Sequence, residues 1–189
     1  MQKASKARCL AYCAVCIALA FILNQVSLFR MPQGGSITPA SMLFVVLAGY
    51  WLGPVYGIMA GVTKGLLDTI TGAYILHPAQ YVLDYLLGFG MLGLSGFFRK
   101  MKFGLQIGYI VGVLGRFIMV ATSGVVFWAD MAQMGFTGAL TFSLIYNISY
   151  IGPEAAMTLI IIGIPSVRHA INSVTRTVVP HDYPEMSER

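Results

Sequence analysis

Long apolar stretches separated by short polar connections dominate the pattern along this chain. Six stretches can be drawn, over about 8–28, 38–52, 54–73, 79–98, 104–128 and 138–165. Each approaches the roughly 20 residues that an α-helix needs to cross a bilayer core about 30 Å thick. The second and third stretches meet at Gly53-Pro54, a pair typical of a tight turn. The pattern predicts an all-α protein with six transmembrane helices in a single integral membrane domain, residues 1–189.

Basic residues outside the stretches predict the orientation of these helices. With a cytoplasmic N-terminus, three segments inside the cell hold nine of the 12 Lys and Arg residues: Lys3, Lys6, Arg8, Arg99, Lys100, Lys102, Arg168, Arg176 and Arg189. The connections outside then carry one basic residue, Arg30. Because cytoplasmic loops are enriched in Lys and Arg, we predict both termini inside, with 29–37 and 129–137 outside.

The last segment of the chain, 166–189, is polar. Pro180 and Pro184 lie within it, and proline interrupts helices. We therefore predict a short cytoplasmic extension without a closing helix.

The composition excludes most soluble classes of protein. The chain is 57% hydrophobic and 10% charged, with a mean hydropathy of +0.76, whereas a soluble domain carries roughly 25% charged residues. Most of its surface must therefore face lipid. The net charge of +5 does not predict nucleic-acid binding, because the basic residues lie in loops and tails. The chain also lacks the G-x-x-x-x-G-K-[ST] loop that binds ATP.

The first apolar stretch carries two patterns of small residues. Cys9, Cys13 and Cys16 lie in it, and no second Cys or His pair follows at zinc spacing. We therefore predict no metal site and interpret the C-x-x-C at 13–16 as apolar packing. Ala14 and Ala18 lie four apart, with Ala11 nearby. Such small residues on one helix face allow another helix to approach closely.

Five ionisable residues interrupt the apolar stretches: Lys64, Asp68, Asp84, Arg116 and Glu154. A charge at the centre of a bilayer costs about 2.5–3.5 kcal/mol or more, so each is a candidate for function. Lys64 and Asp68 are four residues apart on one helix face and are predicted to neutralise each other near the end of a span. Arg116 and Glu154 are the preferred second pair.

Asp84 has the strongest case for a binding site. Gln80 precedes it by four residues on the same helix face, and Tyr81 lies beside them. A carboxylate with an amide and aromatic neighbours suits a cationic or amine-bearing ring. The alternative is a structural acid paired with Arg116 or Lys64.

Two further features suggest how a pocket is completed. The connection 29–37 contains Pro32, Gly34 and Gly35, which predict a shaped loop that is either a lid or only a turn. A polar and aromatic stripe begins the last stretch and can line a pocket if it faces inward, namely Ser143, Tyr146, Asn147 and Tyr150.

Four stretches of sequence together carry a specific signature, although each is weak alone. They are 34–38 (GGSIT) with Met42, 74–85 (YILHPAQYVLDY), 115–117 (GRF) with 123–128 (SGVVFW), and 143–150 (SLIYNISY). In these residues the chain resembles the thiamine-specific substrate-binding subunits, or S-components, of energy-coupling factor transporters.

The resemblance implies a six-helix bundle in the bacterial plasma membrane that binds thiamine near its outer face. A membrane scaffold subunit and two ATPase subunits would drive uptake, while this chain does no chemistry and needs no cofactor. The alanine face Ala11, Ala14 and Ala18 would meet the scaffold. The substrate-binding residues implied by the family positions are Tyr74, Asp84, Tyr85, Trp128, Phe142 and Asn147. The helix face of Asp84 adds Gln80, and the polar and aromatic stripe adds Tyr146.

Two departures from the family pattern leave the ligand open between thiamine and a relative. Val120 stands where some members carry His, and 29–37 contains no Trp. A precursor such as the hydroxymethylpyrimidine half is one alternative. A stand-alone ion-coupled carrier is another. An intramembrane enzyme using Asp84 with Asp68 or Glu154 is a third, although no recognisable catalytic spacing supports it.

Overall fold

The computed structural model describes residues 6–180 and consists almost entirely of helices. In chain order the elements are α1 Lys6–Gln25, β1 Phe29–Arg30, β2 Ser36–Ile37, α2 Ser41–Leu52, α3 Pro54–Ile70, α4 Pro78–Phe98, α5 Gly104–Trp128, α6 Met131–Gly163 and α7 Pro165–Val178. Within this range, α1, α4, α5 and α6 are long and apolar enough to cross a membrane. A helical membrane protein is thereby confirmed, whereas the count of six spans stays a prediction.

The two shorter helices, α2 and α3, form the predicted hairpin around Gly53-Pro54. Gly53 ends α2 with a φ of 97°, and Pro54 is the first residue of α3. Proline suits that first position because its missing N–H would have no partner there. At 1.5 Å per residue, α2 is about 18 Å long and α3 about 26 Å, both less than the bilayer core.

Glycines bring the backbones of α3 and α4 into direct contact. Gly57, Gly61 and Gly65 repeat every four residues on one face of α3. A Cβ atom at any of them would lie less than 3 Å from the backbone of Gly93, Phe89 or Tyr85 of α4. We call these three residues the glycine ridge. Such small-residue faces are typical of packed membrane helices.

Two helices change their winding where they approach the same end of the bundle. In α4, a π-helical turn at Val82–Leu87 follows the first α-helical turn. In α5, the last turn, Gly124–Trp128, is also π-helical. π-Turns are rare and are often found at functional sites. These two turns carry Asp84, Tyr85 and Trp128.

The structure corrects two predictions about the last third of the chain. Helix α6 begins at Met131 rather than 138, although Gly135, at a φ of 63°, interrupts it. The Asp130 carboxylate caps its start by accepting from the N–H groups of Ala132 and Gln133 at 3.1 and 3.2 Å. Much of the predicted connection 129–137 is therefore helical.

The second correction concerns the tail, where 165–178 forms α7 instead of an extension. Pro165 is its first residue, and Val167, Ile171 and Val178 are at least partly buried. Trp51 of α2 donates a buried hydrogen bond of 2.8 Å from Nε1 to Oγ1 of Thr175. Pro180 follows the end of the helix, where proline is compatible with a stop. Pro184 and the other residues from 181 onward lie outside the described range.

The bundle has two chemically different ends. The β1–β2 hairpin, the 71–74 connection and the end of α5 surround one cavity, and we call this the cavity end. The turn at Gly53 lies beside Arg99, and α7 packs on the end of α2; we call this the basic end. Between them, outward-facing apolar side chains suit a lipid environment, including Val15, Ile22, Leu114, Ile118, Ile145 and Ile160.

Candidate functional site

A cavity of about 370 Å³ opens at the cavity end. Its volume lies within the roughly 300–1,000 Å³ that is typical of small-molecule sites. Seven of the eight residues predicted to bind substrate line it: Tyr74, Asp84, Tyr85, Trp128, Phe142, Tyr146 and Asn147. The eighth, Gln80, does not. The structure therefore brings the sequence-derived candidates together around one space, while their contact with a ligand stays a prediction.

Asp84 projects from the π-helical turn of α4 and lines the cavity. The Nε2 group of Gln80 donates a hydrogen bond of 2.5 Å to its Oδ2 atom, which confirms the shared face. The Ser123 hydroxyl and the Trp128 indole lie close to the same carboxylate. Among the described residues, no ion pair joins Asp84 to Lys64 or Arg116. The salt bridge to either base that the structural alternative required is therefore not formed, and the binding role of Asp84 stays a prediction.

Aromatic side chains form the wall next to this acid. The rings of Tyr74 and Trp128 have centroids 5.2 Å apart and are tilted by 37°. The Tyr74 backbone is held in place because its N–H donates to the Tyr85 hydroxyl at 3.1 Å. Flat π faces next to a carboxylate can bind a flat cation through stacking and cation–π attraction.

The β1–β2 hairpin covers the cavity from the direction of α6. Phe29 pairs with Ile37 and Arg30 with Ser36, so the predicted shaped loop is confirmed. The Tyr146 hydroxyl accepts from the N–H of Gln33 at 3.0 Å and donates to the carbonyl of Gly34 at 2.8 Å. The hydroxyl of Tyr146 is therefore engaged by the hairpin, while Tyr146 also lines the cavity.

Asn147 joins three parts of the wall through its side-chain amide. Its Nδ2 donates to the carbonyl of Ser143 at 2.9 Å and more weakly to that of Val120 at 3.5 Å. Its Oδ1 accepts from the hydroxyl of Tyr150 at 2.7 Å. The amide thus fixes Tyr150, whose ring would meet a Cβ placed on Gly35 at 2.9 Å.

The predicted Arg116–Glu154 pair is wrong. Glu154 is 4% exposed and accepts hydrogen bonds from Thr38 N, Ser41 Oγ and Met42 N at 3.0, 3.2 and 3.4 Å. The start of α2 has no side-chain cap of its own, so its free N–H groups attract this carboxylate. Arg116 instead places its guanidinium 3.7 Å from the centre of the Phe89 ring.

The predicted Lys64–Asp68 pair is confirmed, with a separation of 2.6 Å. It lies near the end of α3, as predicted, and it is buried. Lys64 is 1% exposed and lies 3.4 Å from the centre of the Phe89 ring, and Asp68 borders the cavity. Asn24 at the end of α1 donates to Asp68 Oδ1 at 3.4 Å. The Asp68 member of the pair is therefore part of the cavity wall.

Sequence reasoning did not assign several cavity residues to the site. Arg116, Asp68 and Glu154 were singled out as charges inside spans, but for other roles. The signal that could have assigned these three residues to the cavity is the cost of burying a charge in hydrocarbon, because a polar cavity lowers that cost. The other unassigned residues include Asn24, Arg30, Met42 and Phe89.

The two small-residue patterns of α1 lie on opposite faces of that helix. Cys13 and Cys16 are buried, as the interpretation of apolar packing expected, and Cys13 Sγ lies 3.7 Å from the carbonyl oxygen of Tyr56. Ala11, Ala14 and Ala18 are exposed. The alanine face is therefore open to another helix, while contact with a partner stays a prediction.

A family model described as "Thiamine transporter protein (Thia_YuaJ)" matches residues 10–171. The thiamine transporter ThiT of Bacillus subtilis is 31% identical over 169 residues, covering 79% of this chain and 85% of that protein. The ThiT of Lacticaseibacillus paracasei is 26% identical over 167 residues, covering 80% and 81%.

A solved structure of ThiT from Listeria monocytogenes has the same fold. It aligns with a TM-score of 0.61 over 94% of this chain and 96% of that chain. Its sequence identity is 24%, so this likeness speaks for the fold alone.

The family match covers most of the chain, and the Bacillus relative agrees with it over most of both lengths. These relatives are transporters, which gives the chain a transport role in the cell membrane rather than a catalytic one. The resemblance seen in the four sequence stretches is thereby confirmed. This multi-pass membrane protein belongs to the thiamine transporter protein family.

Proposed function

We propose that this chain captures thiamine at the outer face of the cell membrane and delivers it to an ATP-driven uptake complex. The observation that carries the proposal is a carboxylate, Asp84, next to the paired rings of Tyr74 and Trp128 in a cavity of about 370 Å³. Thiamine joins an aminopyrimidine to a cationic thiazolium ring. An acid that accepts from the amino group, with π faces for the rings, suits both halves.

Each wall of the cavity has a role in this proposal. Asp84 accepts a hydrogen bond from the pyrimidine amino group. Tyr74, Tyr85 and Trp128 pack on the rings, with Phe142 opposite. The hairpin acts as a lid, because residues from Arg30 to Ser36 line the cavity and Tyr146 holds the tip.

In the membrane, we propose six spans with both termini in the cytoplasm. The four long helices and the shorter α2 and α3 would be the six spans. The β1–β2 hairpin and the connections next to α2 and α3 would make up the length that these two helices lack. A scaffold subunit would bind the alanine face, and two ATPase subunits would supply the energy. The chain itself needs no cofactor.

Thiamine titration of the purified protein, followed by Trp fluorescence, tests the proposal. The chain has two Trp residues: Trp128 lines the cavity, and Trp51 is buried at the basic end against Thr175. We expect a saturable signal that survives Trp51→Phe and disappears in Trp128→Phe. A saturable signal carried by Trp51 would place binding elsewhere.

The same titration tests the two alternatives. Hydroxymethylpyrimidine as a second titrant separates thiamine from its precursor, and binding without ATP or an ion gradient argues against a stand-alone coupled carrier.

The proposed orientation predicts which surface cysteines are reachable from outside. In a variant with Cys9, Cys13 and Cys16 replaced by Ala, we expect Gln133→Cys to react with an impermeant maleimide on intact cells. Ala170→Cys on α7 is the matched control and should react only after permeabilisation. Both positions are exposed, so a difference reports sidedness. The reverse labelling pattern would refute the orientation.

The alanine face predicts a separation of binding from uptake. Ala14→Trp and Ala18→Trp should leave thiamine binding unchanged and abolish uptake by whole cells, because a bulky ring blocks close helix approach. Ile118→Trp is the matched control at a lipid-exposed position on a different helix, α5, where Ile118 is 56% exposed, and it should retain uptake. Normal uptake in both alanine variants would remove this face from the interface.

A further inference from the structure

Gln80 is a completely buried polar side chain next to the cavity, yet it does not line it. Its amide makes three hydrogen bonds. The Nε2 group donates to Asp84 Oδ2 at 2.5 Å and to the carbonyl of Tyr74 at 3.2 Å, and Oε1 accepts from the N–H of Leu76 at 3.0 Å. An amide has two donor hydrogens and one carbonyl oxygen, so these bonds use both hydrogens. Gln80 therefore has no amide hydrogen left for a ligand.

These bonds connect the acid to the aromatic wall. Gln80 holds Oδ2 of Asp84 and so orients the carboxylate, which keeps lone pairs free for a ligand amine. The same amide fixes the carbonyl of Tyr74, whose N–H is fixed by the Tyr85 hydroxyl. Both backbone groups of Tyr74 are thus tied to α4, and its ring stays against Trp128.

We propose that Gln80 is a positioning residue: it orients the Asp84 carboxylate and the Tyr74 ring, and so sets selectivity for a ligand that presents a ring amino group. The inference rests on the proposed function, and it replaces the direct substrate contact that the sequence predicted for Gln80. A merely structural Gln80 would support the fold equally whether or not Asp84 is present. A positioning Gln80 acts through Asp84, so the effects of the two residues on binding depend on each other.

A double-mutant cycle tests this dependence. Thiamine affinity is measured by calorimetry for the wild type, Gln80→Met, Asp84→Ala and the double variant, each folded and monodisperse. Residues in one hydrogen-bond network do not act additively, so we expect Gln80→Met to weaken binding by about 10-fold alone and by only about 2-fold in the Asp84→Ala background. Gln80→Glu serves as a second variant if the Met protein does not fold. It keeps the size and the acceptor for Leu76 but sets an oxygen against Asp84, and it should also weaken binding.

Selectivity provides a readout that loss of stability would not change. Oxythiamine carries a keto oxygen in place of the ring amino group, so the ratio of thiamine to oxythiamine affinity reports recognition of that amine. We expect this ratio to fall in Gln80→Met. Thr69→Val is the matched control, because it removes an exposed hydrogen bond of 2.7 Å to Tyr81 on the same turn of α4 without touching Asp84 or Tyr74. It should change neither affinity nor the ratio.

The outcomes separate the two proposals. Additive effects of Gln80→Met and Asp84→Ala, or an unchanged ratio, would overturn the positioning role while the proposed function stands. A wild-type protein that binds no thiamine would overturn the proposed function and this inference with it.

Discussion

Asp84→Asn is expected to weaken thiamine binding by about 10- to 150-fold. A hydrogen bond to a charged group contributes roughly 1.5–3 kcal/mol, and each 1.4 kcal/mol is a factor of about ten in affinity. The substitution keeps the size of the side chain and removes its charge. Asp84→Ala should cost at least as much, and Trp128→Ala should also weaken binding because it deletes a stacking surface. Isothermal titration on folded, size-exclusion-purified variants measures these effects.

Asp130→Asn is the matched control for the loss of one negative charge. Asp130 lies in the connection after Trp128, is exposed and caps α6, and Asn caps helices equally well. Its affinity should equal that of the wild type. If Asp84→Asn lowered the melting temperature but bound thiamine as tightly as the wild type, Asp84 would be a structural acid and most of the case for thiamine would be lost.

Glu154→Leu is expected to destabilise the fold by about 3 kcal/mol or more. The change leaves Thr38 N, Met42 N and the Ser41 hydroxyl without their acceptor, and each unsatisfied buried donor costs about 1–3 kcal/mol. For a chain of this size, 1 kcal/mol corresponds to about 2–4 °C in melting temperature. A thermal melt in detergent should therefore show a loss of roughly 6–12 °C.

Glu154→Gln should lose less, because the amide keeps one oxygen for these donors while its NH₂ group faces the remaining N–H. Ser149→Ala, an exposed position on the same helix, should melt like the wild type. A Glu154→Leu protein with unchanged melting temperature would show that the start of α2 finds other partners, and the capping role would be abandoned.

Local patterns in the sequence were enough to predict most of the helices. Six apolar stretches match α1 to α6 to within a few residues at most ends, and Gly53-Pro54 marks its turn, because both signals depend only on neighbouring residues. The same holds for Gln80 with Asp84 and for Lys64 with Asp68, since i, i+4 partners meet on any helix.

Contacts between distant segments could not be predicted in this way. Glu154 binds the start of α2 more than a hundred residues away, and nothing near it in sequence distinguishes that partner from Arg116. Helix α7 was missed for a local reason: the prediction rested on Pro180 and Pro184, which both follow its last residue, Val178, and not on the helical spacing of Val167, Ile171 and Val178. The π-helical turn of α4 was missed because one extra residue per turn leaves little trace in an apolar stretch, although it aims both Asp84 and Tyr85 at the cavity.

The glycine ridge has a consequence for how a loss-of-uptake screen would look. Gly57, Gly61 and Gly65 set the distance between α3, which carries Asp68, and α4, which carries Asp84. Any added side chain would force the two backbones apart and would change the width of the cavity without touching a ligand. In a saturation mutagenesis screen for uptake, these three glycines would therefore be among the positions that tolerate substitution least, although they have no side chain that could bind a ligand. A binding site drawn from mutational sensitivity alone would extend well beyond the residues that line the cavity.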